Sequence, residues 1–407
     1  MNIAVGLVEF QDVIPIQLRG NYKDIAGKQY MAGSYRFSEP VVLEPLDWAN
    51  ASFVVEGVKI GIGFHWEQVR QQGFRGGFRI IDDNGLTLIN DVDLESYVES
   101  VVASEMNGDS PVELLKAHAV ISRSWIIAQM RLTIGRGGGY NSQRQPSCNE
   151  WEIQRWYGRE AHTRFDVCGD DHCQRYQGIG ECSDSVRTAV EATRDQFLVF
   201  GTDVCDARFS KCCGGVTEDY TAAWDESEVP YLRSVTDGPD RPSDLDSWIC
   251  SNPQAHCNVQ DKELLTRILH DFDLKTRDFF RWSLRYHRDE ISEVVRTQSG
   301  IDLGTVTAFE PLERGSSGRI ICLRIVGSRG QLTVGKELEI RHVLSPTHLF
   351  SSAFVVERDH DGFTLVGAGW GHGVGLCQIG AAVMASRGMG YESILSHYYR
   401  GARVEVR

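Results

Sequence analysis

Glu105 lies just before the turn Asn107-Gly108, and apolar residues recur at helical spacing on both sides of that turn. A carboxylate at a helix end beside apolar walls can be held protonated near neutral pH, because desolvation disfavours its charged form. Such a group can act as a general acid that hands a proton to a leaving oxygen. From local sequence alone the solvated helix-end carboxylate is the expected reading, since most glutamates are exposed. A second set is His162, Cys168, His172 and Cys173. Two imidazoles and two thiolates can close a tetrahedron around zinc. Gly169-Asp170-Asp171 supplies the turn that the adjacent ligands His172 and Cys173 need. With every position taken by protein no place is left for water, so a structural role is expected. Cys148 and Cys182 are alternative ligands, and the set can also be reduced cysteines beside unrelated histidines.

Two further stretches could carry chemistry. In Phe209-Ser210-Lys211-Cys212-Cys213-Gly214-Gly215 a cysteine nucleophile would need an activating histidine, for which His372 is the candidate. The competing reading, a tight strand turn with buried small residues, is the one expected. Gly369-Trp370-Gly371-His372-Gly373-Val374-Gly375 lacks the Lys-Ser/Thr and the spacing of a phosphate-cradling loop. Its glycines are expected to permit close backbone approach to a ligand or to the Glu105 segment. No role is assigned to Cys250, His256 and Cys257.

The elements that must position these residues are legible in part. Leu94, Val98, Val101 and Val102 mark a first helix, and Leu114, Ala117, Ile121 and Trp125 mark one face of a second. Ser110, Pro111 and Glu113 predict a capping box with proline at the first helical position. Glu95 and Glu99 are expected to face solvent, and Asp109 to sit in the turn. From Ile3 to about Asp83 short alternating runs broken by Gly, Asn and Asp read as strands. Gly135 to Gln145 reads as a polar, Gly-rich loop. Val186, Ala189, Val190 and Thr193 give a helical period, followed by strands around Gly201-Thr202-Asp203. At about Pro239 the composition shifts, after a Pro- and Asp-rich linker.

The predicted class is α+β: a discontinuous catalytic domain of mixed strands and helices, with a zinc-bearing insertion and a second inserted α/β subdomain. The boundaries expected are a β-rich region over 1–83, a catalytic core over 84–238 with the insertion at about 140–182, a secondary subdomain over 239–337, and the closing part of the core over 338–407.

The chain has 407 residues, 42% hydrophobic and 24% charged, so a normal core is available and wholesale disorder is not expected. A net charge of -14 argues against a nucleic-acid binder. No apolar run is long enough to span a bilayer. The first residues, Met1 to Leu18, lack a basic n-region and carry Glu9 and Asp12. Eleven cysteines leave at least one outside any disulfide pairing, and their clustering with histidines points to metal.

Three ordered blocks resemble the SpoIID/LytB family, the stage II sporulation protein D and amidase-enhancer proteins. They are LESYVESVVASEMNGDSPVELLKAHAVISRSW from Leu94, FSKCCGGVTEDYTAAWDESEVPYLRSV from Phe209, and the closing segment with GWGHGVGLCQIGAAVMA from Gly369. Together they cover about a quarter of the chain, in three separated blocks. The resemblance implies a peptidoglycan lytic transglycosylase with Glu105 as its catalytic glutamate. It also implies zinc on His162, Cys168, His172 and Cys173. With a glycan as substrate, Trp370 and Tyr220 would stack on sugar faces, and Ser210, His372 and Gln378 would make polar contacts; the competing readings are core aromatics and a structural histidine. Cys212 and Cys213 depart from the small hydroxyl residues usual in the family. The partners implied are glycan strands stripped of stem peptides and a cell-wall amidase, with no nucleic acid and no membrane span. The place implied is the cell envelope or another extracytoplasmic site; with peptidoglycan as substrate a signal already removed is the natural expectation, and export by another route or retention inside are the alternatives. A glycan-binding enhancer that does not cut is the alternative.

Overall fold

Asp93 starts the helix α1, Leu94–Glu105, by accepting hydrogen bonds from the N–H groups of Glu95 and Ser96. Such a cap contributes about 1 kcal/mol. Tyr97, Val98, Val101 and Val102 line the buried face, which places Glu105 on the same side at the last position. The turn follows as the sequence predicts, with Asp109 N–H donating to the Asn107 side chain at 2.9 Å. The helix α2, Val112–Arg131, is buried over most of its length. Its predicted capping box does not form. The Glu113 carboxylate is taken by the Tyr391 N–H at 2.9 Å and by Lys116 at 2.8 Å. The Ser110 hydroxyl is buried and finds no partner among the described residues. A tertiary contact has outcompeted a local one.

Glu95 and Glu99 also depart from expectation. Both oxygens of Glu95 accept from Arg123, at 2.8 and 2.7 Å, and Glu99 pairs with Arg75 at 3.2 Å. The Arg123 side chain is 0% exposed and that of Glu95 14%. Glu95→Ala would leave a fully buried guanidinium without its anion, so a loss of about 3–5 kcal/mol is expected. The volume-matched pair Glu95→Leu with Arg123→Met should recover most of it. Denaturation midpoints of the three proteins check this; an equal loss in the single and double variants would mean that packing, not charge, sets the cost.

The computed structural model describes residues 1–131, 150–157, 162–239, 241–259, 261–271, 273–275 and 278–407, and the backbone of 142–147. Cys148 and most of the Gly-rich segment from Gly135 lie outside the described residues. From Ser142 the backbone forms a strand rather than a loop, antiparallel to Glu150–Gln154. The architecture is α+β. A seven-stranded sheet includes Asn2–Gln11, Leu86–Asp93 and Gly77–Asp82, and a four-stranded sheet is centred on Ile14–Arg19 and Ser52–Ile60. Their inward residues, such as Ile3, Phe53 and Phe78, share one core with Val98, Ile121 and Leu376. The helix α3, Asp184–Ala192, packs on α2 through the predicted Val186, Ala189 and Val190. A second core gathers Ile153, Trp282, Ile291, Ile325, Val334 and Phe363. There the strand Glu150–Gln154 runs parallel to Gly330–Gly335. Among the described residues no helix is long and apolar enough to cross a membrane.

Candidate active site and metal centre

Glu105 is 6% exposed. Its Oε1 accepts from the Arg175 backbone N–H at 3.2 Å, and its Oε2 from the Gln378 amide at 3.2 Å. The same Gln378 nitrogen lies 3.0 Å from His118 Nε2. Burial, then the charge of Lys211, pushes His118 down to about 3, so its ring is neutral and accepts this bond at Nε2. Gln378 thus spans a carboxylate on α1 and an imidazole on α2, from the first position of the helix Gln378–Ser386.

Around this carboxylate lies a buried ion-pair network. Arg175 Nε donates to Asp171 at 2.7 Å, and its Nη1 lies 3.4 Å from Asp273. Lys211 Nζ reaches the other Asp273 oxygen at 3.1 Å. Burial works against the Asp273 anion, but Lys211 and Arg175 outweigh it and hold its carboxyl below the usual range. The Arg175 guanidinium also sits over the Trp66 ring, 4.3 Å from the centroid. The neighbouring carboxylates are therefore ion-paired, whereas Glu105 is met by uncharged N–H donors.

The four residues of the predicted metal set converge. Their donor atoms all lie within 4.8 Å of one another. His162 Nε2 and His172 Nδ1 are 3.0 Å apart, and Cys173 Sγ lies 3.4 and 3.5 Å from them. Ligands of a tetrahedral zinc would be separated by about 3.3 Å for N to N and about 3.5 Å for S to N. The donor set fits zinc. Cys168 sits on the short strand Val167–Cys168, held parallel to Asn2–Gln11. Hydrogen bonds from Cys173 first, then from His162 and His172, keep the Cys168 thiol far below its ordinary range despite burial. The turn is braced by Asp170, whose carboxylate accepts from the Gly61 and Ile62 N–H groups at 2.8 and 2.9 Å. Cys182 is not in the set; its thiol donates to the Glu99 and Gly178 carbonyls at 3.7 Å.

The remaining predicted residues fall in different surroundings. Gln378 joins Glu105. Ser210 is opposite Cys377 in a parallel strand pair, 6% exposed, and its hydroxyl has no partner among the described residues. Tyr220 stacks on Trp224 at 5.0 Å, and His372 meets the same indole edge-on at 5.0 Å. Burial, then Arg208 and Arg319, pushes His372 well below its ordinary range. Trp370 stacks on Phe350 at 4.3 Å and lies 5.5 Å from the His65 ring.

The glycines of this loop do permit close approach, but to other groups than Glu105. A Cβ on Gly375 would lie 1.9 Å from the Arg208 carbonyl, and one on Gly373 would lie 2.4 Å from the Arg319 guanidinium. Cys212 and Cys213 are buried, burial raises both thiols, and the Cys213 sulfur lies 3.5 Å from that of Cys257, as expected of a tight turn with buried small residues rather than of an activated nucleophile. Sequence reasoning missed His118, Arg175, Lys211 and Asp273. Only His118 had a signal: it is a polar residue four positions after Leu114, on an otherwise apolar face.

Residues 82–200 match the family model described as stage II sporulation protein, and residues 218–375 match a domain of unknown function. Stage II sporulation protein D of Bacillus amyloliquefaciens is 25% identical over 316 residues, covering 78% of this chain and 75% of its own length. The amidase enhancer of Bacillus subtilis is 23% identical over 321 residues, covering 75% of this chain and 39% of its own length. An uncharacterised protein of Brachyspira hyodysenteriae is 26% identical over 417 residues, covering 99% of this chain and 92% of its own length.

Proposed function

Because the chain is a member of the SpoIID/LytB family, we propose that it acts on the cell wall as a peptidoglycan lytic transglycosylase, with Glu105 as its general acid and base. The observation that carries this reading is the pairing of charges around Glu105. Two-carboxylate hydrolysis needs a second free carboxylate to activate water or attack the sugar. Among the described residues Asp171 and Asp273 are the acidic neighbours, and both are bound by Arg175, the latter also by Lys211. A transglycosylase needs one group only. The acid protonates the oxygen of the MurNAc–GlcNAc linkage, the C1–O bond breaks, and the muramic C6 hydroxyl attacks the oxocarbenium-like C1. The glutamate then takes the C6 proton. An attached nucleophile has a high effective concentration, so water need not be positioned.

The Arg175 N–H and the Gln378 amide orient the carboxylate, and neutral His118 fixes Gln378. Ser210, Tyr220, Trp370 and His372 are the proposed contacts to the glycan. Zinc on His162, Cys168, His172 and Cys173 would hold the loop that carries Arg175, and with a closed shell it supplies no open coordination position.

Incubation with peptide-stripped glycan strands is expected to yield 1,6-anhydro-muramic ends, read by mass spectrometry. Ordinary reducing ends would indicate attack by water and refute the transglycosylase reading. A second reading rests on the relative named amidase enhancer. It becomes the better one if no product forms and a cell-wall amidase is stimulated instead.

A further inference from the structure

Four segments distant in sequence bring Cys213, Asp237, Cys257 and Cys377 together inside the main core. Three Sγ atoms and one carboxylate oxygen all lie within 4.8 Å of one another. Each residue is 2% exposed or less. We propose that this cluster is a second metal centre, which holds a thiophilic divalent cation such as zinc through three thiolates and one carboxylate.

The spacing suits a single ion. Cys213 and Cys257 Sγ are 3.5 Å apart, and tetrahedral zinc at about 2.3 Å from each sulfur sets S···S at about 3.8 Å. An iron–sulfur cluster places several atoms between its cysteines and needs a wider cage. The ligands are oriented from behind, as metal sites require. Cys377 Sγ accepts from the Cys213 N–H at 3.2 Å, and Cys213 Sγ from the Gly215 N–H at 3.4 Å. Asp237 accepts from the Tyr398 hydroxyl at 2.5 Å and from the Cys257 N–H at 2.9 Å.

The carboxylate supplies an independent reason. Asp237 is 0% exposed, and among the described residues no lysine or arginine pairs with it. A buried charge without a counter-ion is costly, and a divalent cation at this spot offsets it. Arg281, which donates to the Gly214 carbonyl at 3.0 Å, brings positive charge to the sulfur side. That charge partly balances a shell of four anions around a dication.

The location gives the ion a task. Cys377 directly precedes Gln378, which is bonded to Glu105. Cys213 ends the segment that carries Lys211. The ion would tie both, with the Asp237 and Cys257 loops, into one rigid support. It would touch neither substrate nor Glu105, so its role is positional.

The test begins with protein purified under reducing conditions without chelator. Elemental analysis should find two zinc ions per chain, and the double variant Cys168→Ser, Cys173→Ser should retain one. Cobalt(II) placed in that variant should show intense thiolate-to-metal charge transfer. If the variant does not fold, X-ray absorption of the wild-type zinc decides. A shell averaging between two and three sulfurs per ion, or a single ion with three sulfurs, supports the site. One equivalent with two sulfurs and two nitrogens overturns it. So does a Cys213–Cys257 disulfide in a non-reduced peptide map of the fresh protein.

Discussion

Glu105→Gln is expected to lower glycan cleavage by roughly 10²–10⁴-fold, the usual share of general acid–base assistance, with the fold intact. The amide is nearly isosteric but has no acidic proton to give the leaving oxygen. Its oxygen can still accept from the Arg175 N–H. Its nitrogen would face the Gln378 nitrogen, a clash that ends if Gln378 turns its oxygen inward. His118 Nε2 must then donate instead of accept, which a neutral ring can do by changing tautomer. The rearrangement costs no more than about one hydrogen bond, roughly 1 kcal/mol. Thermal melting should therefore move little while kcat falls by orders of magnitude. Turnover close to that of the unaltered protein would remove Glu105 from the role of acid.

Cys173→Ser should act in the opposite way, on stability first and on cleavage second. Cys173 is two residues before Arg175, whose N–H holds Glu105. The strand Val167–Cys168 pairs over two residues with Asn2–Gln11, and hydrogen bonds of the Asp166 and Gly169 N–H groups to the Ala4 and Gly6 carbonyls extend that anchorage, while His162 and His172 stay partly or fully exposed. Zinc would supply ordering energy there, which couples metal affinity directly to local folding. Losing one thiolate is expected to lower Tm by about 5–10 °C, equivalent to a few kcal/mol in a domain of this size. Cleavage should drop because the Arg175 N–H is displaced, mainly in kcat. Zinc content and melting are read on the same samples. Unaltered melting with metal absent from both proteins would mean that the four ligands hold no ion.

What the sequence by itself determined were the features written in local spacing. The α1–turn–α2 pair follows from apolar periodicity around Asn107-Gly108, and it puts Glu105 at a buried helix end. The His162, Cys168, His172 and Cys173 set is likewise compact in sequence, so its convergence could be read from ligand type and turn residues alone. The same local reading failed where a distant group competed. Ser110 and Glu113 have the spacing of a capping box, yet the Tyr391 N–H takes the carboxylate. Glu95 and Glu99 look solvent-facing, yet Arg123 and Arg75 bind them.

Only the tertiary structure decided which groups hold Glu105. Arg175 comes from 70 residues away and Gln378 from 273. It also decided that Cys213, Asp237, Cys257 and Cys377 face one point. The physical reason is common to all of these. Periodicity encodes which face of an element is buried, because burial acts on each side chain separately. A hydrogen bond or a metal shell depends on where two or more such faces meet, and that is settled by the packing of the whole core.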